Sequence, residues 1–290
     1  MRTEIKRSET IAIPLGTDGY PTEWLCLADA PETLYAFGDI SLLNKRKFTA
    51  VGSRRTPVNV LKITAGIAKE LSEQFVLVTG IADGGDSAII EGALAGSGRV
   101  ICVLAGGFSA LPQSNLALIS KIAERGLLLS PYPFETEVRS FSYEYRNKLL
   151  AALGEGVLVT GAAEKSGALI TAKYAKEYGK KIFAIPYSLG VTAGTGCNKL
   201  LKEGGYLTES AGDIYRAFGI QADEGKGKPK VALTADEQKL YEAVKELSDG
   251  HVSEISAKAG IPAFKARGML SALEVKGLIT PIGGNRYSAT

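Results

Sequence analysis

The chain has 290 residues, of which 45% are hydrophobic and 22% charged, and its formal net charge at pH 7 is +3. This length suffices for one large core and a small extra domain, and the near balance of charge means that any basic groove must be local. No apolar run approaches the ~20 residues of a membrane span, and the N-terminus lacks the apolar core of a signal peptide. Three widely spaced cysteines without a CxxC pair indicate a cytoplasmic protein.

The first 47 residues show a weak pattern, a short helix leading to the extended stretch LYAFG, and we expect this segment to pack on the core. A βα rhythm fills residues 48–220. Its apolar strands are FTAVG, FVLVTG, RVICVLAG, GLLLS, GVLVTG and KKIFAIP, and its helices include 58–73, 86–95, 113–124 and 146–153. Continuous apolar strands alternating with helices predict an α/β fold, an extended Rossmann-like parallel sheet with helices on both faces. Ligands of such sheets bind at the carboxyl ends of the strands.

A second pattern follows the polar stretch DEGKGKPK, which predicts a solvated linker at 221–233. Residues 234–290 predict three helices and a hairpin, which is the order of a winged helix-turn-helix domain. The predicted recognition helix, 262–276, carries only Lys265, Arg267 and Lys276 against Glu274. A small protein-interaction domain with the same fold is therefore the alternative to a DNA-binding one.

Two turns at strand ends carry the residues of anion sites. The first, AVGSRRTP, places Gly52, Ser53, Arg54 and Arg55 after a buried strand, where a guanidinium can bind phosphate through two hydrogen bonds. The second, SGALIT, begins a helix at Ser166, whose hydroxyl and the following N–H groups lie at the positive end of the helix dipole. Two phosphate-type sites on one sheet favour the binding of a phosphate-bearing chain.

Basic and aromatic residues alternate before and within the segment YRNKLLAAL. Arg146, Asn147 and Lys148 are predicted at a helix start, with Arg139 nearby, and Tyr143 is the predicted stacking residue. A basic groove with aromatic platforms is what sequence-tolerant binding of a single strand requires. We expect the neighbouring aromatics Phe141 and Tyr145 to belong to the core or to an interface.

Seven segments, taken in order, resemble the DprA/Smf family of DNA-processing proteins over about residues 20–218. They are AVGSRRTP, VTGIADGGD, RVICVLAGG, YRNKLLAAL, SGALITAKYA, KIFAIP and GCNKLLKEGG. The resemblance implies a protein, not an enzyme and without a cofactor, that binds single-stranded DNA, dimerises and helps to load a RecA-type recombinase during DNA uptake. The residues expected to contact the strand are Gly52, Ser53, Arg54, Arg55, Gly80, Arg139, Tyr143, Arg146, Asn147, Lys148, Ser166, Gly167, Thr171, Lys173, Asn198 and Lys199.

The chain departs from the family patterns near the first turn. Asp83 stands for an arginine and Gly85 for an isoleucine in the pattern GxARGID, and Ile90 stands for a histidine. In the stretch that resembles GxDxxYPxxN, Ser109 and Leu111 replace the aspartate and the tyrosine. The changes add negative charge near one anion site.

Two alternative functions remain on the same fold. A nucleoside-monophosphate hydrolase would carry a PGGxGT loop with a following glutamate, and the nearest segment here, AGTGCNK, lacks both. An enzyme could instead hold a metal ion between Asp83 and Asp86, which lie three residues apart. A nucleotide-sensing regulator is the other alternative. A GxxxxGK[ST] phosphate-binding loop and a full GxGxxG signature are both absent from the sequence.

Overall fold

A nine-stranded sheet forms the centre of the first of two units, Met1–Ala222 and Asp223–Thr290, in a computed structural model that describes residues 5–221 and 233–289. The strand order is β1-β2-β6-β5-β4-β3-β7-β8-β9. The strands are β1 Ile11–Pro14, β2 Thr33–Gly38, β3 Lys47–Gly52, β4 Val76–Thr79, β5 Val100–Val103, β6 Leu127–Ser130, β7 Gly156–Gly161, β8 Lys181–Ala184 and β9 Tyr206–Leu207.

Helices cover both faces of this sheet, as the sequence predicted. They are α1 Val58–Leu71, α2 Gly85–Ala95, α3 Leu116–Arg125, α4 Ser140–Leu153, α5 Gly167–Glu177, α6 Thr195–Lys202 and α7 Ala211–Ala217. Successive side chains of a strand point to opposite faces, so Leu77 packs in one core cluster and Val76 and Val78 in the other. The first cluster contains the buried residues of α1, α2, α3 and α7, and the second those of α4 and α5.

The sheet is mostly, not wholly, parallel. The strands from β3 to β9, which include β6, all pair in parallel with their neighbours in that set. In contrast, β1 pairs with β2, and β2 with β6, in antiparallel register. The antiparallel strands come from the N-terminal segment, which thus extends the sheet. Trp24 of this segment is fully buried and its Nε1 donates to the carbonyl of Leu149 at 3.0 Å. Glu23 forms an ion pair with the buried Lys47 at 2.7 Å.

The start of α4 differs from the prediction. We predicted a helix from Arg146, but α4 begins at Ser140, where the Ser142 hydroxyl accepts the N–H of Arg139 at 3.3 Å. This hydroxyl satisfies one backbone N–H at the start of the helix. The sequence pattern did not indicate this start, because aromatic and charged residues surround Ser142. The earlier start places Tyr143, Arg146 and Asn147 on one face of the helix, since residues three and four apart are neighbours.

The second unit contains three helices and a small sheet in the described residues 233–289. They are α8 Ala235–Leu247, α9 Val252–Ala259, α10 Ala263–Val275, β10 Gly250–His251, β11 Ile279–Gly283 and β12 Arg286–Ala289, with strand order β10-β12-β11. Leu240, Val244 and Leu270 are fully buried at its centre. The winged-helix assignment stays a prediction, and the linker predicted at 221–233 lies outside the described residues except at its two ends.

None of the helices in residues 5–221 and 233–289 has both the length and the apolar character needed to cross a membrane.

Candidate functional site

The two predicted anion sites meet in one cavity of about 440 Å³, which we call the strand-end cavity. The strands β3 and β7 are parallel neighbours, so the turns that follow them lie at the same edge of the sheet. The first turn contributes residues 52–55, the second contributes residues 165–168 together with Thr171, and α4 contributes Tyr143, Arg146 and Asn147.

Two guanidinium groups lie against one aromatic ring at the mouth of this cavity. The Cζ atoms of Arg54 and Arg146 each lie 5.9 Å from the ring centre of Tyr143. Arg54 is exposed and the Tyr143 side chain is 40% exposed, while Arg146 is buried. The guanidinium groups attract a phosphate, and the ring offers a face on which a base can stack.

Arg146 and Asp86 form a buried pair of opposite charge beneath this ring. The carboxylate of Asp86 accepts the N–H groups of Gly52 at 3.2 Å and Ala82 at 3.3 Å, so it ties the turn after β3 to the turn after β4. Burial raises the pKa of Asp86, and the Arg146 charge and these two amides oppose the rise. Burial also lowers the pKa of Arg146, against the attraction of Asp86. Asp86 therefore positions the two turns and contributes little exposed surface to the cavity that it lines.

Two glycines that we predicted to contact the strand leave room for protein groups, and one of them, Gly52, also lines the strand-end cavity. A Cβ on Gly80 would lie 2.2 Å from Nη1 of Arg146 and 2.5 Å from Oδ2 of Asp86. A Cβ on Gly52 would lie 2.7 Å from the Cα of Gly85. Gly85, which stands where the family pattern has isoleucine, thus lies at the start of α2, where its backbone contacts the backbone of the turn after β3.

The start of α5 forms the opposite side of the cavity. The Ser166 hydroxyl accepts the N–H of Ala168 at 3.4 Å, so Ser166 caps its own helix. Asn147 accepts the Nε–H of Arg146 at 2.9 Å and donates to the carbonyl of Gly167 at 3.1 Å, which joins α4 to α5. Thr171, which we predicted to contact the strand, has a fully buried hydroxyl with no hydrogen-bond partner in the described chain. The residue lines the strand-end cavity, but its Oγ1 atom is not exposed there.

Besides Gly80, five predicted residues lie outside the lining of the strand-end cavity. Lys148 forms an ion pair with Asp29 of the N-terminal segment, and Arg139 is exposed at the start of α4, outside the cavity lining. Asn198 donates to and accepts from the backbone of Tyr187. Lys173 and Lys199 line a different cavity, between α5 and α6, which we call the lysine-rimmed cavity.

Sequence reasoning missed one cation and one adjoining cavity. Lys165 is exposed and lines the strand-end cavity, and its position directly before Ser166 was the available signal. A recess of about 230 Å³ adjoins the same site and shares Arg54, Ala82, Tyr143 and Arg146 with it. Asp83 lines this recess, which we call the Asp83 cavity. Ile90, another departure, is fully buried in the core.

The two carboxylates considered for a metal site face different surroundings. Asp86 is buried and bound by backbone amides, whereas Asp83 is exposed and accepts the hydroxyl of Ser114 at 3.1 Å. Among the described residues, no group of three or more histidine, cysteine, aspartate or glutamate side chains is arranged to bind a metal ion.

Comparisons with known proteins identify the family. The family model for DNA recombination-mediator protein A matches residues 12–219. The chain belongs to the DprA/Smf family. The DNA processing protein DprA of Bacillus subtilis is 37% identical over 206 residues, which cover 70% of this chain and 69% of the relative. Protein Smf of Escherichia coli is 27% identical over 282 residues, covering 94% of this chain and 75% of that protein.

Two solved structures of the family show a similar fold. The X-ray structure of DprA from Streptococcus pneumoniae has a TM-score of 0.69 and 32% identity, covering 72% of this chain and 74% of that one. A structure of DNA processing protein A from Helicobacter pylori, described as giving insight into its unique single-stranded DNA binding mode, has a TM-score of 0.65 and 29% identity. It covers 73% of this chain and 98% of that one. These relatives support a DNA-processing role.

Proposed function

We propose that this protein binds single-stranded DNA through the strand-end cavity, without catalysing a reaction. The observation that carries the proposal is a set of cations with no acidic partner. Within residues 5–221 and 233–289, no carboxylate lies within ion-pair distance of Arg54, Arg55 or Lys165, and all three are exposed. Exposed cations around the start of a helix attract the phosphates of a nucleic acid.

The aromatic ring supplies the preference for a single strand. Tyr143 lies beside the exposed Arg54 and the buried Arg146 and is 40% exposed, so a base released from pairing can stack on it. A duplex keeps its bases stacked within the helix and gains nothing from such a ring. The described binding mode of the Helicobacter pylori relative supports the same ligand.

We further propose, from the family resemblance, that the protein acts in the cytoplasm as a homodimer and passes the strand to a RecA-type recombinase. A nucleotide-sensing regulator is the second candidate, because the Asp83 cavity is a recess beside the cations that a single nucleotide could enter.

Fluorescence anisotropy tests the proposal with a labelled oligo(dT) strand and a duplex of equal length, across a salt series. We expect tighter binding of the single strand and a steep loss of affinity with salt, because phosphate contacts release counterions. Equal affinity for the two forms, or no binding at low salt, would contradict it, and binding of free nucleotides in that case would favour the regulator.

A further inference from the structure

The Asp83 cavity lies directly beside the residues to which we assign the strand. It shares Arg54, Tyr143 and Arg146 with the strand-end cavity, so a phosphate held at Arg54 places the attached nucleotide at its mouth. Its lining contains the apolar side chains of Leu104, Leu111, Pro112 and Val138. A flat aromatic ring is the part of a nucleotide that gains from an apolar recess.

The cavity has donors on the side that it shares with the strand-end cavity, at Arg54 and Arg146, and acceptors at Asp83 and Asn115. Asp83 is exposed, and one carboxylate oxygen accepts the hydroxyl of Ser114 at 3.1 Å, which leaves the other without a partner in the described chain. Asn115 is buried, and its Nδ2 donates to the carbonyl of Ile81 at 2.9 Å. The reverse orientation of this amide would set two oxygens against each other, so the free group of Asn115 is its carbonyl oxygen.

One wall of the Asp83 cavity is held in place by close backbone packing. Gly107 donates to the carbonyl of Thr136 at 2.8 Å, and a Cβ at Gly107 would lie 2.2 Å from the carbonyl oxygen of Phe134. The glycine therefore lets the segment that carries Val138 lie directly on the end of β5. A recess with fixed walls loses little entropy when a ligand enters.

We propose that the Asp83 cavity binds one nucleobase that carries an exocyclic amino group, which donates to Asp83. The proposal rests on the proposed function, since the strand-end cavity delivers the base. Cytosine presents an N4 amino donor, whereas thymine and uracil present an O4 acceptor that a carboxylate repels. The same amino group occurs in a base of a bound strand and in a free nucleotide, and both sources are tested.

The matched probes are labelled oligo(dC) and oligo(dU) of equal length, measured by anisotropy at neutral pH with the full chain. These strands lack the thymine methyl group, so they differ only in the polar edge of the base. We expect about fivefold tighter binding of oligo(dC), because one good base-edge contact discriminates by ~1 kcal/mol or more. Asp83→Asn, which offers both a donor and an acceptor, should bring the two affinities within about twofold of each other.

The control is Asp18→Asn, which removes an exposed carboxylate outside both cavities and should preserve the preference.

Calorimetry with dCMP and dUMP tests the free-nucleotide source. Binding of dCMP over dUMP that Asp83→Asn abolishes, with no base preference between strands, would support the cavity chemistry and assign it to a free nucleotide.

Equal affinities in both assays, or a preference that survives Asp83→Asn, would overturn the inference. If the strands still bind tightly in that case, the proposed function stands. If neither strand binds and neither nucleotide binds, the proposed function fails as well.

Discussion

The strand-end cavity and the lysine-rimmed cavity both have exposed cations, but only those of the lysine-rimmed cavity have acidic partners within ion-pair distance in the described chain. Arg54, Arg55 and Lys165 have no carboxylate within ion-pair distance in the described chain, whereas Lys173 lies 3.9 Å from Glu177 and Lys199 lies 4.0 Å from Glu203. Such exposed pairs add little stability, but they cancel the local charge. The difference teaches that a carboxylate one helical turn away decides whether a surface cation can recruit an anion.

The largest effect should come from the buried cation of the strand-end cavity. Arg146→Ala leaves Asp86 buried without its opposite charge, and we expect a loss of about 3–5 kcal/mol in the free energy of unfolding at neutral pH. Urea denaturation measures it. Lys148→Ala, which removes a more exposed cation from the same helix, should cost at most about 1 kcal/mol.

The pH dependence of this loss identifies its cause. Burial raises the pKa of Asp86, so the folded state favours the neutral carboxyl group. The resulting penalty is absent below the ordinary carboxyl pKa and grows as the pH rises from that value through the raised one. Without Arg146 the penalty is larger, so the loss should shrink at acidic pH and partly disappear in the Arg146→Ala/Asp86→Ala double variant. A loss independent of pH would assign it to packing instead.

Two glycine substitutions compare the site with an ordinary helix surface. Gly80→Ala should displace Arg146 and Asp86, because the new Cβ overlaps both side chains, and we expect a loss of about 2 kcal/mol with weakened strand binding. Gly66→Ala in α1 meets open space and should stabilise the protein by about 0.5–1 kcal/mol. Thermal unfolding of both variants checks this expectation. A change of stability in the same direction for both variants would contradict it.

The exposed aromatic of the site should contribute less and only to binding. Tyr143→Ala should cost about 1–3 kcal/mol in oligo(dT) affinity through lost stacking, with little change in unfolding. Phe141→Ala is the matched control, because this ring is 61% exposed on the same helix and lies outside both cavity linings. Equal affinities of the two variants would assign Tyr143 to packing rather than to stacking.

The sequence predicted the sheet well because its central strands are short apolar runs with polar or glycine boundaries. It could not predict the antiparallel pairing of β2 with β6, which joins residues far apart in the chain. At the site, the common sheet edge of Arg54 and Ser166 followed from their positions at strand ends, whereas the pairing of β3 with β7 that brings them together is seen only in the structure. The separation of Lys148 from Arg146 was not predicted, because we placed both residues at a helix start. Both lie inside α4, where residues two apart face different directions.

The roles of Gly80 and Asp86 were also beyond sequence reasoning. Both depend on Arg146, which reaches them from a helix more than fifty residues later in the chain. The carboxylates beside Lys173 and Lys199 were visible in the sequence, four residues after each lysine, and were the signal that these cations are neutralised.

The most direct test of the central claim is the salt dependence of oligo(dT) binding for Arg54→Ala and Lys199→Ala beside the unaltered protein. Each variant removes one exposed cation, so the overall charge changes equally. We expect Arg54→Ala to weaken binding about tenfold and to lower the slope of log affinity against log salt by about 0.7, as the loss of one phosphate contact requires. We expect no change in slope for Lys199→Ala. The opposite pattern, with the slope changed by Lys199→Ala alone, would contradict the central claim and move the strand to the lysine-rimmed cavity.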